Sequence, residues 1–213
     1  MKLAVSRSSI LAVGAAALAF AAPADAADTF HFDLQGHSVE ATFFSATDDG
    51  CVTATTTLHY NESSNHVAPG SPDLQAVSLI EVQYQNLCTG DFFLLDGGTT
   101  QQTVKIRGNL TRADYAAVIP VTDGNITTNV TLNFVAAGTG DLQSAHDVFN
   151  SRGGGTVFHQ DVSFQARNAV PTGDVSIVLP LASGPTTVDL APGSNQDNGF
   201  IAKESQGFID VTM

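Results

Sequence analysis

The sequence predicts an all-β domain, an antiparallel β-sandwich or β-barrel of about nine to twelve strands. Three observations predict it. Apolar and polar residues alternate with period two through most of the chain beyond the first 26 residues. Turn-forming clusters interrupt that alternation at short intervals, and no series of helices stands between the strands to build a parallel sheet.

The chain opens on a different signal. Lys2 and Arg7 precede an uncharged run from Ile10 to Ala22, Pro23 breaks it, and Ala24-Asp25-Ala26 supplies a small-x-small cleavage pattern. Residues 1–26 therefore read as a secretory signal peptide and residues 27–213 as a single β-rich domain. The run is shorter than the ~20 apolar residues that span a bilayer as a helix, so no membrane span is expected in the mature chain.

Within the domain, Val52, Ala54, Thr56, Leu58 and Tyr60 share one face of a strand, with Thr53, Thr55, Thr57 and His59 on the other. Ile80, Val82 and Tyr84 alternate with Glu81, Gln83 and Gln85, and Val104 and Ile106 with Lys105 and Arg107. Val130, Leu132 and Phe134 alternate with Thr131 and Asn133, and Phe158, Val162 and Phe164 with His159, Asp161, Ser163, Gln165 and Arg167. Turns are expected at Asp48-Asp49-Gly50, Pro69-Gly70-Ser71-Pro72, Asp96-Gly97-Gly98, Asp123-Gly124-Asn125, Gly153-Gly154-Gly155, Pro171-Thr172-Gly173 and Pro192-Gly193-Ser194. The one stretch with helical character is Asp141 to Phe149.

Charge and cysteine content narrow the functional classes. The leader carries Lys2, Arg7 and Asp25, a net +1, so its removal takes the formal charge from -13 to -14. That field repels phosphate backbones and anionic lipid, and nucleic acid is not an expected partner. An exported protein with two cysteines, Cys51 and Cys88, is expected to join them as a disulfide. A reactive thiol would show a Cys-x-x-Cys pair or an activating neighbour, and the sequence shows neither.

No catalytic residue is predicted. Gly-x-Ser-x-Gly is absent, and the four glutamates, Glu40, Glu62, Glu81 and Glu204, form no evident acid/base pair. The weak candidates for a metal are His59 and His66, which flank an expected polar loop containing Glu62, and Asp197. Asp197 and the Asp48-Asp49-Gly50 turn offer hard oxygen ligands suited to calcium. Neither matches a calcium-loop pattern, and Asn, Asp and Gly are equally the residues that turns require. No cofactor is expected on these grounds. The sequons at Asn61, Asn109, Asn125 and Asn129 carry little weight beside a leader of bacterial style.

Two stretches carry a resemblance. Asp49-Gly50-Cys51-Val52-Thr53, followed by Leu87-Cys88-Thr89-Gly90, and Asn129 to Phe134 with Gly138-Thr139-Gly140-Asp141-Leu142, resemble a loose group of uncharacterised secreted bacterial β-rich proteins. The group has a Gly-Cys-Val-x-Thr strand and a later Cys-Thr-Gly, and Phe134 stands where its pattern has Trp. The resemblance implies export and the cysteine pair and supplies no activity.

The expected function is an exported, non-enzymatic structural or ligand-binding module, secreted or periplasmic, with an extracellular or periplasmic ligand of unknown identity. The alternatives are a secreted hydrolase with a scattered acid/base site and an outer-membrane β-barrel, whose strands also alternate.

Overall fold

The computed structural model describes residues 29–67, 73–100, 104–181, 183–192 and 199–212. The leader and Asp197 lie outside them. Ten strands follow one another: β1 (Thr29–Ala46), β2 (Val52–Val67), β3 (Asp73–Asn86), β4 (Phe92–Thr99), β5 (Lys105–Arg107), β6 (Arg112–Thr122), β7 (Thr127–Gly153), β8 (Thr156–Leu181), β9 (Gly184–Pro192) and β10 (Gly199–Thr212). Every pairing is antiparallel, as the hairpin-rich sequence predicts. No helix among the described residues is long and apolar enough to cross a membrane.

The pairings return on themselves. The order β10-β1-β2-β3-β4-β6-β7-β8-β9 is closed by β10 against β8 and β9 against β1. β9 and β10 thus share one stave, and β8 changes partner along its length: it pairs with β10 as far as Ala169 and with β9 from Val175. Pro171 lies between those two points, where that side of β8 has no ladder partner. One continuous hydrogen-bonded ring is the connectivity of a barrel.

Alternation decides which side chains fill it. Val39, Phe43, Leu58, Tyr60, Val82, Tyr84, Leu95, Ile119, Leu132, Phe134, Ile177 and Leu179 are buried in one cluster. Their strand neighbours point outward; some carry charge, among them Glu40, His59 and Glu81, and others are exposed apolar residues such as Phe44, Leu79, Leu94, Val118 and Val178. The core ends on a layer of buried hydroxyls: Tyr115 donates to Ser78 Oγ at 2.7 Å, and Tyr60 accepts from the Val104 N–H at 3.1 Å while donating to Glu62.

Four segments differ from the sequence expectation, one of them the expected loop between His59 and His66, which is part of β2. Residues 141–149 are extended within β7, because Gln143 to Gly153 pair with Ala166 to Thr156 and this ladder supplies backbone partners that a lone helical turn lacks. Gly154 and Gly155 close that hairpin with φ of 59° and 84°, a type I′ geometry. Asp96-Gly97-Gly98 and Pro171-Thr172-Gly173 are also inside strands. Gly173 has φ of 136° and leaves room for the Asn133 carbonyl, which a Cβ would meet at 2.4 Å.

Gly97 has the same kind of reason. It pairs with Val121 at the seam between β4 and β6, where only two residue pairs are in register, and a Cβ there would meet the Pro120 carbonyl oxygen at 2.0 Å. Gly97→Ala is expected to lower unfolding free energy by about 1–3 kcal/mol through overpacking against backbone that has no slack. Gly108→Ala, with nothing within 4 Å of its Cβ position, should be nearly neutral. Urea unfolding of both proteins checks the difference.

The cysteines meet as a consequence of register. Val52 pairs with Asn86, and the Leu87 N–H donates to the Cys51 carbonyl at 2.7 Å, so the β3–β4 turn is laid against the start of β2. Cys51 and Cys88 are disulfide-bonded across a sequence separation of 37. Asn86 Oδ1 holds the turn by accepting from the Cys88 and Thr89 N–H groups at 3.0 and 3.1 Å.

Candidate binding surface

β7 and β8 are several times longer than an ordinary strand of five or six residues. Their extra length leaves the barrel. β6 stops pairing with β7 at Ala137, yet the β7–β8 ladder continues to Gly153–Thr156. β10 runs beside β8 over this distance, β1 beside β10, and β2 beside β1. The result is a sheet that projects past the core, with its side chains partly or fully exposed on both faces.

On the outer face an aromatic ladder crosses four strands. Phe32 on β1 stacks on Phe208 of β10 at 4.8 Å between ring centroids. Phe208 meets Phe158 of β8 at 5.9 Å, and Phe158 meets Phe149 of β7 at 6.1 Å. Phe149 remains 56% exposed, beside a shallow depression lined by Asp147, Phe149, Gln160 and Val162.

The inner face continues the barrel interior and is polar in the rows next to the core, with Val148, Val157 and Ile209 nearer the tip. Register places Glu62, His37, Lys203 and Gln165 in one row across β2, β1, β10 and β8. The next row is Ser64, Gln35, Ser205, Ser163 and His146. By the same registers His37, His146 and His159 occupy positions of this inner parity. His146 Nε2 lies 3.2 and 3.1 Å from the two Asp161 oxygens, His159 Nδ1 is 2.7 Å from Asn150 Oδ1, and Ser163 Oγ is 2.8 Å from Ser205 Oγ. Burial lowers the pKa of His37; Glu62, 3.9 Å away, opposes that shift, and Lys203 adds to it.

Of the metal candidates, Asp197 lies outside the described residues. His59 and His66 both lie in β2, which replaces the expected loop because β1 and β3 pair with it on both sides. His66 stands opposite Asp33 of β1 by register. His59 is outside, 3.2 Å from Glu40. Asp49 uses its carboxylate locally, accepting from Thr47 Oγ1 and the Cys51 N–H, and these two bonds in that order lower its pKa. Among the described residues no three His, Cys, Asp or Glu side chains gather as metal ligands do. Glu81 is exposed outside β3, opposite Asp96.

One constellation escaped sequence reasoning. Ser163 pairs directly with His146, whose ring meets Asp161, so a serine, a histidine and an aspartate stand side by side. The Ser163 hydroxyl is turned to Ser205 instead of the imidazole, and His146 and Asp161 are 59% and 47% exposed. A nucleophile activated by a base needs the hydrogen bond between them. Parity could have placed Asp161 and Ser163 on one face, but only the β7–β8 register adds His146. No family model matches the chain, and no match is found among curated proteins or solved structures.

Proposed function

We propose that the protein is an exported, non-enzymatic binding module and that the projecting sheet is its ligand surface. The observation that carries this reading is the length of β7, β8, β10, β1 and β2 beyond the core. A sheet exposed on both faces buries little apolar area and contributes little to stability, so contact with a ligand is the role its side chains suit. The leader and the disulfide support an oxidising compartment outside the cytoplasm. The outward face of the barrel mixes charge at Glu40, Glu81 and Lys105 with exposed apolar side chains at Phe44, Leu79, Phe92, Leu94, Val118 and Val178, so the charged positions interrupt the continuous apolar belt that a lipid-facing barrel presents.

The runner-up is a hydrolase, favoured only by the adjacency of Ser163, His146 and Asp161. One experiment separates the two. A fragment library screened by protein-observed NMR against the exported protein, with a mature mass expected to begin at Ala27, should shift amides of residues 143–166 and 203–209. Ester and glycoside chromogens should not turn over. Turnover lost in Ser163→Ala would transfer the protein to the hydrolases, and shifts confined to the barrel would reject the sheet as the ligand surface.

A further inference from the structure

The mature chain has few cations, and most are exposed or engaged. Arg107 and Arg112 pair with Asp114 at 3.5 and 2.5 Å, Lys105 stands next to the same carboxylate by register, and Arg152 is exposed near the tip of the β7–β8 hairpin. Arg167 is different. It lies on the inner face of β8, part-buried, its Nε is sealed with no hydrogen-bond partner, and it makes no ion pair among the described residues. An unpaired donor in a guanidinium withdrawn from water costs on the order of 1–3 kcal/mol or more.

The surroundings give this guanidinium a built position. It sits at the junction where the core ends and the polar inner face begins, two residue pairs along the ladder from Lys203 and on the same face: Arg167 pairs with Ile201, and Gln165 with Lys203. Diagonal neighbours on one face of an antiparallel pair are within reach of each other's long side chains. His37 is directly opposite Lys203 on β1. Behind Arg167, Gly138 leaves space for its stem, since a Cβ there would meet Arg167 Cδ at 2.8 Å and the Leu110 carbonyl oxygen at 2.2 Å. Leu110 is buried with φ of 56°, a conformation costly for a residue with a Cβ. Glu62 is the acid of the neighbouring row, and it is already engaged by the Tyr60 hydroxyl and faces His37.

We propose that Arg167 and Lys203 form a site for the carboxylate of a small ligand, seated where the barrel interior opens onto the inner face of the sheet. The site deepens the reading of that face as a ligand surface and rests on it. With Nε sealed, a planar carboxylate matches the outer edge of the guanidinium formed by its two terminal Nη groups, the ammonium adds a further charge-assisted bond, and the sheltered Nε–H reports the change in the guanidinium's charge distribution. A dianion would meet the same two cations but face more repulsion from the formal charge of -14 that remains when the leader's net +1 is taken from -13.

The test follows the arginine Nε–H resonances of the full exported protein during titration with sodium acetate at constant ionic strength. Arg167 Nε–H should shift saturably. Arg112 Nε–H, already donated to Asp114 at 2.7 Å, should stay in place and serves as the internal control. Lys203→Gln, a change at an exposed position, should weaken the acetate response roughly tenfold, the loss expected for one charge-assisted bond. An unmoved Arg167 signal, equal movement of Arg112, an unchanged response in Lys203→Gln, or a stronger response to sulfate than to acetate would each overturn the proposal. Because the signal is read on the wild-type protein, the result does not depend on whether an Arg167 variant folds. Failure with acetate while fragments still map to residues 143–166 removes this site alone; loss of those fragment shifts removes the ligand-surface reading itself.

Discussion

Replacing Cys51 and Cys88 together by serine should lower the unfolding free energy by about 4 kcal/mol, the largest single loss expected outside the core. The two cysteines are 37 positions apart, and the bridge removes from the unfolded chain the freedom of a loop of that size. In the folded state they lie beside a register already set by the β2–β3 ladder and the Leu87-to-Cys51 backbone bond. The double variant should therefore keep the native circular dichroism while its urea midpoint falls. Reductant should shift the wild-type protein toward the variant and leave the variant itself unchanged. A loss below about 1 kcal/mol would mean that the unfolded chain is already restrained in this region.

Truncating Phe134 to alanine should cost a similar amount, about 3–5 kcal/mol, by a different route. Phe134 is 2% exposed and stands between two aromatic neighbours, with ring centroids 5.1 Å from Phe43 and 5.3 Å from Tyr115. Tyr115 is its direct partner on the neighbouring strand β6, whereas Phe43 comes from β1, which does not pair with β7, so the ring ties β7 to the far side of the barrel and the surroundings cannot collapse into its place. Urea unfolding reads the loss. A cycle combining Phe134→Ala with Phe43→Ala should show a coupling of about 0.5–1.5 kcal/mol, the part due to ring against ring. Strict additivity would mean that the two rings are buried side by side without depending on each other.

The contrast between these sites and the projecting sheet explains what could be read from the chain. Around Val52 to Tyr60 and Val130 to Phe134 one face is buried and the other is wet, so alternation is written into the residue types. Residues 143–155 are exposed throughout, and with no buried face there is no reason for apolar residues to recur every second position. That is why the outer half of β7 carried a helical signal in place of a strand signal. Gly97 and Gly173 looked like turns for a related reason: glycine marks a turn and a close backbone approach equally well, and only the neighbouring strand shows which it is.

The sequence by itself determined the all-β class, the identity of the strands around the core and the pairing of Cys51 with Cys88, because alternation and a count of two are local properties. The tertiary structure decided that the strands close into a ring, that five of them run on past the core, and that Arg167, Lys203 and His37 share one face with His146, Asp161 and Ser163. Those outcomes depend on register between strands far apart in the chain. A shift of one residue in any pairing would turn a whole strand's side chains to the opposite face, and no residue type records that choice locally.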